Sequence, residues 1–382
     1  MPSRSADIEY HTAIIVGGGP GGLGLAPLLG GVYPYYRPSP LYARRYPIWS
    51  ERLARFDTTM YGLNFRAMVE EGLKPVDFFR SLHHPTSRFQ GSDDLAMQFR
   101  SGPGIDFLLL SREDVGGIWI NAPDELLALS PGHWMEFAYY PLRQFAEETG
   151  RSIDENALIS RRELVTYYQM ISERFGIADR VRTGVNVEQI AGCDEGFLLS
   201  TRDVSSGTVT CYLCKYLIYA AGQRAVLRRL DVPGSDLPFV TNVYRRPDDF
   251  PGQRVVVVGG GRSADWAATE LYEAGRTVHY VMRQGFDVHW RLIEDSRRDL
   301  PYYARLAEIV ESGDARLERR YETRIECIER RGDRGVVIVS RHGTREEIEV
   351  DHVVVEIGGV PDYSLFQCLP SLRLVPLRDR YR

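Results

Sequence analysis

Residues 253–283 read "QRVVVVGGGRSADWAATELYEAGRTVHYVMR", and this stretch decides the fold. "RVVVV" is short, apolar and β-branched, as a strand buried in a parallel sheet should be. Gly259-x-Gly261-x-x-Ala264 follows at once, a dinucleotide-binding turn with alanine in its permitted last place. "SADWAATELYEAG" is a helix closed by Gly275, and "TVHYVM" is a second strand, which completes a β-α-β unit. At the end of that strand, where NAD-binding proteins carry Asp or Glu, stands Arg283. A guanidinium there suits the 2′-phosphate of NADP, which a carboxylate would repel. Arg262, inside the turn, adds a second positive group near the phosphates, and Ser263 is the next residue of the turn.

An earlier stretch, 12–26, is built alike: "TAIIVGGGPGGLGLA". Gly17 permits the turn, Gly19 lets the backbone approach a pyrophosphate, and Gly22 lets helix and strand pack closely. The N-terminus of the following helix offers unpaired N–H donors to the anion. The acidic ribose ligand expected about 20 residues on is missing, because "RPSPLYARRYPIW" is no strand. The next strand is "IDFLLLS" at 105–111, with Glu113 the nearest carboxylate after it. A helical insertion at about 31–104 therefore separates the first helix from the second strand. Within it, "SERLARFDTTMYGLNFRAMVEEG" and "DDLAMQFRS" have helical spacing, and "LHHPTSRFQGS" reads as loop. His83 and His84 are adjacent with no companion Cys or acidic pattern, so no metal site is expected.

Two dinucleotide folds imply two nucleotides exchanging electrons, a tightly held FAD at the first loop and NADPH at the second. The fold class is α/β: two Rossmann-like dinucleotide-binding domains, the NADPH domain inserted into the FAD domain. Boundaries are expected at 1–235 for the first part of the FAD domain, 236–350 for the NADPH domain and 351–382 for the return. The endings "YAAGQ" (219–223) and "EIGG" (356–359) mark the crossings. Cys211-x-x-Cys214 lies inside a strand, and a separation of three puts the two thiols on opposite faces, which is wrong for a redox disulfide.

Composition narrows the setting. The chain has 382 residues, 43% hydrophobic and 26% charged, as for an ordinary globular protein. Its net charge of −5 makes no electrostatic case for nucleic acid or an anionic membrane. Of 47 basic residues only Lys74 and Lys215 are lysines, and no GxxxxGK[ST] loop is present, which leaves little room for lysine or P-loop chemistry. "MPSRSADIEY" has no apolar signal region, no apolar run approaches a membrane span, and five scattered cysteines suit a reducing compartment. A cytoplasmic protein is expected.

The residues resemble the flavin-containing monooxygenases. The likeness is carried, in the family's order, by "VGGGPGGLGLA", "GGIW" (116–119), "RRELVTYYQMISERFG", "YAAGQ", "PFVTNVYRRPDDFPGQRVVVVGGGRSA" and "VVVEIGGVPDYSLF". The insertion with "PVDFFRSLHHP" and the stretch "LLALSPGHWMEF" (126–137) are most similar to the divergent branch of oxidative-stress-induced growth inhibitor proteins. The resemblance implies an FAD- and NADPH-dependent monooxygenase. A flavin C4a-hydroperoxide would oxygenate a nitrogen or sulfur atom of a small-molecule substrate, with molecular oxygen as co-substrate. It also implies that Gly17, Gly19 and Gly22 hold the FAD pyrophosphate and that Gly117 and Trp119 sit beside the flavin. Gly259, Gly261, Ser263 and Arg283 would hold NADPH.

Some positions depart from the family. "FVTNVY" has Thr241 and Asn242 where the monooxygenase fingerprint has Gly and His, which lowers the expectation of Baeyer–Villiger chemistry. The family's hydroperoxide-steadying Asn falls near Leu129-Ser130, so Ser130 and His133 are the catalytic hydrogen-bonding candidates. The family's Gly-Asp segment that closes over the flavin has no counterpart before "LRDRYR". Two alternatives stay open: an NADPH oxidase or flavin reductase without hydroxylation, and a catalytically silent nucleotide-binding regulator for which "YPYYRPSPLYARRYPIW" is a partner surface. Whether the chain forms a homo-oligomer is open as well.

Overall fold

The computed structural model describes residues 8–72, 74–83 and 95–367. The chain divides into two compact units, one of Met1–Ile120, Ser130–Gly222 and Tyr363–Arg382, the other of Asn121–Leu129 and Gln223–Asp362.

In the first unit the strand Glu9–Val16 lies between two parallel neighbours, Phe107–Leu110 on one side and Val209–Tyr219 on the other. Ile15 stands level with Leu109 and Ile218 in this register. Phe107–Leu110 and residues 13–16 of the first strand read as unbroken apolar runs because they are buried on both faces, whereas Val209–Tyr219 carries exposed residues such as Tyr216. Ile14, Ile15 and Leu109 are wholly buried, and each such side chain contributes about 2 kcal/mol. A meander, Val185–Cys193, Gly196–Asp203 and Val209–Tyr219, extends the sheet. Phe366–Gln367 joins its edge beside Ile190, so the chain ends its described course in the sheet where it began.

The second unit carries a five-stranded parallel sheet. Its spatial order is Val240–Thr241, His352–Val355, Arg254–Val258, Thr277–Val281, Leu317–Arg320. The helix Arg262–Glu273 crosses from the third of these strands to the fourth. A separate antiparallel meander, Thr323–Arg331, Arg334–Arg341 and Thr344–Val350, packs Ile328, Val337 and Ile348 into the same core as Val256 and Val353.

Three details differ from the sequence reading. The insertion at about 31–104 is not wholly helical: Val32–Tyr36 and Met97–Ser101 pair antiparallel and close its two ends. "MQFRS" is thus a strand where helical spacing was expected, since a partner more than 60 residues away decides its conformation. Between them, short helices Pro40–Arg45, Pro47–Ala54, Phe65–Glu70 and Pro75–His83 gather around buried Tyr42, Met60 and Phe78. The unit boundaries fall at Gly222/Gln223 and Asp362/Tyr363 rather than 235/236 and 350/351, because His352–Val355 pairs with Arg254–Val258 in the second sheet. Most of the expected loop "LHHPTSRFQGS", His84 included, lies outside the described residues, while Leu82 and His83 end a helix. Among the described residues no helix is long and apolar enough to cross a membrane.

Candidate functional site

Both glycine turns occur where a parallel strand hands over to a helix. Gly17 has φ +119° and its N–H donates to the Leu110 carbonyl at 2.8 Å. A β-carbon there would lie 2.3 Å from the Ala220 carbonyl oxygen, so no side chain fits. A β-carbon at Gly22 would lie 2.0 Å from the Gly17 oxygen, which is the close helix–strand packing expected of the third glycine. At Gly19 a β-carbon would stand 3.3 Å from Cα of Gly117. The segment after the Phe107–Leu110 strand is thus laid against the turn, and the Gly116 N–H donates to the Gly18 carbonyl at 2.8 Å. Arg161 fixes its far end by donating to the carbonyls of Trp119 (2.8 Å) and Ile120 (2.6 Å). Gly117 is therefore brought to the first loop, with Trp119 two residues further along the same segment. Glu113 is half-buried at the start of this segment, 3.2 Å from the Arg112 guanidinium.

The second loop repeats the pattern. Gly259 has φ +153°, and a β-carbon there would meet the Glu356 oxygen at 2.4 Å and Cβ of Ala264 at 2.7 Å. Gly261 is different: its φ of −129° suits any residue, and a β-carbon would have nothing within 4 Å. Among the described residues no protein atom requires glycine at 261, which is what a backbone kept bare for a phosphate looks like. Helices Pro20–Leu29 and Arg262–Glu273 start at Gly19 and Gly261 with no side chain capping them, leaving first-turn N–H groups to an anion. Both loops therefore fit the pyrophosphate of a dinucleotide.

Around the second loop, Arg283 is exposed at the end of Thr277–Val281 and forms no ion pair among the described residues. Its neighbour Gln284, which the sequence reading passed over, donates to the Gly260 carbonyl at 2.8 Å and holds the turn. The Arg262 guanidinium lies over the Tyr303 ring at 5.2 Å, with its buried Nη1 unpaired among the described residues. Ser263 is half-buried in the first helical turn.

Directly behind that turn is a buried polar network with no counterpart in the sequence reading. Asp265, wholly buried, accepts at 2.7 Å from the phenols of Tyr280 and Tyr303 and from Nε2 of His289, itself wholly buried. The helix N-terminus adds favourable potential at this carboxyl. Burial and the carboxyl beside them push both phenols well above their ordinary range. The signal available in the sequence was a polar residue at a buried phase of each helix, Asp265 in "SADWAA" and His289 in "FDVHWRLI".

The stretch 130–139 packs on the helix after the first loop. The Tyr139 hydroxyl donates to the Leu23 carbonyl at 2.7 Å, and the Phe137 ring stacks on Tyr139 at 5.2 Å and lies against Gly24. His133 is 2% exposed, and its Nδ1 donates to the Glu155 carbonyl at 2.9 Å. Ser130 is half-buried on the strand Leu127–Pro131. Trp134 is exposed, whereas Phe137 belongs to an aromatic core with Tyr167 and Tyr168. His83 of the insertion reaches the same stretch: its Nε2 is 3.1 Å from Glu136, whose other oxygen accepts the Leu142 N–H at 2.7 Å. Cys214 is buried and burial pushes its thiol up to about 11, whereas Cys211 is half-buried; both are free thiols. Among the described residues no His, Cys, Asp and Glu side chains cluster in a way that could hold a metal ion.

Two glycine-turn folds in one chain, each with an uncapped helix start, define a pyridine-nucleotide-dependent flavoprotein oxidoreductase. Residues 95–373 match the pyridine nucleotide-disulphide oxidoreductase family, and the chain belongs to it, on its flavin monooxygenase-like side. FAD and a pyridine nucleotide are the cofactors that membership assigns. The chain is 27% identical over 207 residues to flavin-containing monooxygenase FMO GS-OX-like 9 of Arabidopsis thaliana, covering 45% of this chain and 44% of the plant protein. It is 23% identical over 395 residues to human oxidative stress-induced growth inhibitor 1, covering 93% of this chain and 82% of that protein. In fold it is similar to the ornithine N-hydroxylase of Kutzneria sp. 744, solved with reduced FAD, NADP⁺ and L-ornithine. That likeness has a TM-score of 0.61 at 16% identity, over 97% of this chain and 86% of the hydroxylase.

Proposed function

We propose that the chain is an FAD- and NADPH-dependent monooxygenase that oxygenates a nitrogen or sulfur atom of a small molecule. The observation that carries this is the pair of glycine turns, each shaped for a pyrophosphate, in a chain of the flavin monooxygenase-like family. Gly17, Gly19 and Gly22 hold the FAD pyrophosphate, Glu113 serves its ribose, and Gly117 and Trp119 line the flavin. Gly259, Gly261, Arg262 and Ser263 hold the phosphates of NADPH, and Arg283 reads its 2′-phosphate. A flavin held by the first loop would supply the activation of oxygen. The chain's own part is to exclude water and to place a hydrogen-bond partner beside the flavin, for which Ser130 and His133 are the candidates.

One observation favours a second reading, NADPH oxidase activity without oxygenation. The His133 ring is buried and its Nδ1 is already engaged with the Glu155 carbonyl, which leaves Ser130 as the more accessible donor. The two readings separate in one assay. NADPH consumption, peroxide release and product formation are followed with candidate amines and thioethers. Product in step with NADPH supports the monooxygenase; peroxide equal to NADPH with every compound offered supports the oxidase.

A further inference from the structure

Glu356 occupies an unusual place for a carboxyl group. It follows directly on the strand His352–Val355, and its N–H donates to the Val258 carbonyl at 2.8 Å. Its own carbonyl oxygen fills the space a Gly259 side chain would need. From Arg254–Val258 the chain proceeds outward to Thr277–Val281 and Leu317–Arg320, then returns to His352–Val355 on the other side. Glu356 therefore stands at the carboxyl ends of the two strands between which the order reverses, the crevice where open α/β sheets bind ligands.

Its surroundings are poor for an anion. The side chain is 10% exposed. The charged group that faces it is Arg224, at 3.8 Å, which is too long for a hydrogen bond. From the other elements packed against it come the backbone N–H of Tyr244, which favours the charged form, and the uncharged backbone of Val258 and Gly259. A buried carboxylate with one backbone N–H near it and its cation at 3.8 Å is under-compensated. Burial pushes this carboxyl up to about 7, the Arg224 charge opposing the rise.

We propose that nucleotide binding at the second loop is coupled to protonation of Glu356. The inference rests on the reading of that loop as the NADPH site. The phosphates of the nucleotide bring negative charge to the crevice that Glu356 shares. With Glu356 ionised, two anions would meet in a partly buried site; with Glu356 neutral, the loop amides and the arginines face the phosphates alone. One proton passes from solvent to the carboxylate on binding and returns on release, with no other bond made or broken. Below neutral pH the site is already protonated and binding is at its tightest. Above it, affinity falls by up to tenfold per pH unit.

The test is calorimetric titration of the FAD-loaded protein with NADP⁺ at pH 6.5, 7.5 and 8.5, in buffers of different ionisation enthalpy. The wild-type protein is expected to take up about half to three-quarters of a proton per nucleotide at pH 7.5, since a carboxyl titrating at about 7 is already partly protonated there. Its affinity should be at least tenfold weaker at pH 8.5 than at pH 6.5. E356Q should bind at pH 8.5 as the wild type does at pH 6.5, with proton uptake abolished. The 2′-phosphate of the ligand titrates in both proteins, so the difference between them isolates Glu356. Should E356Q fail to fold, the wild-type proton count at pH 8.5 decides, because the 2′-phosphate, with its second pKa at about 6, is already fully ionised there. NADP⁺ binding with no proton uptake, or with the same pH profile in E356Q, overturns the coupling and leaves the site reading standing. Absence of NADP⁺ binding at every pH overturns both.

Discussion

Gly261→Ala separates packing from binding better than any other substitution in the two loops. Gly261 has extended backbone angles, φ −129° and ψ −179°, and a β-carbon would touch nothing within 4 Å. Alanine gains about 0.4–1 kcal/mol by restricting the unfolded chain and loses a similar amount, up to about 1 kcal/mol, as a poorer helix N-cap than glycine. The net change in stability is expected within about 1 kcal/mol, a shift of no more than about 4 °C in the unfolding midpoint. Binding should respond otherwise. A methyl group forced between backbone and pyrophosphate costs about 1–3 kcal/mol, or about 5- to 150-fold in NADP⁺ affinity. Gly259→Ala is the contrast. Its φ of +153° and a β-carbon 2.4 Å from a backbone oxygen should destabilise the fold itself by about 2 kcal/mol or more. Thermal unfolding and NADP⁺ titration of both variants check this. A Gly261→Ala protein with wild-type affinity would refute the placement of phosphate at the loop; one with a midpoint far below wild type would refute the open space described there.

Other outcomes follow from single contacts. Arg283→Ala should weaken NADPH while leaving NADH unchanged if the exposed guanidinium reads the 2′-phosphate as proposed; equal losses for both nucleotides would remove that role. Asp265→Ala strands His289 and two phenols in a wholly buried site and should cost about 3–5 kcal/mol, read as a drop of roughly 10 °C in the midpoint. Glu9 is held down at about 2, chiefly by its hydrogen bond to Arg182. Its stabilisation is therefore complete above the ordinary value of 4.5 and is lost as pH falls toward 2. Both side chains are more than a third exposed, which limits the contribution to about 1 kcal/mol, and Glu9→Gln should flatten that part of an acid-denaturation curve.

Both loops were legible in the sequence because their logic is local. Positive φ at Gly17 and Gly259 and the tight approach at Gly22 are set within a few residues, and strand, turn and helix follow one another directly. The position of Arg283, just past the end of a strand whose period is plain, was legible for the same reason. What the sequence concealed depends on distant partners. "MQFRS" becomes a strand only because Val32–Tyr36 lies beside it. His352–Val355 belongs to the second sheet through pairing with Val257 and Val258, about 100 residues earlier, and nothing in its own composition says so. Buried polar groups were concealed most of all: the partners of Asp265 are 15, 24 and 38 residues away, and Glu136 meets His83 across the insertion. His133, chosen for its imidazole, lies buried against the Glu155 carbonyl, a contact that no spacing rule forecasts.

The most direct test of the central claim is a visible spectrum of the FAD-loaded protein, reduced by NADPH without air and then mixed with oxygen. Bleaching by NADPH, followed by reoxidation through a distinct long-lived absorbing species, is the result the account predicts. Flavin that NADPH does not bleach, or a protein that takes up no FAD at all, would contradict it.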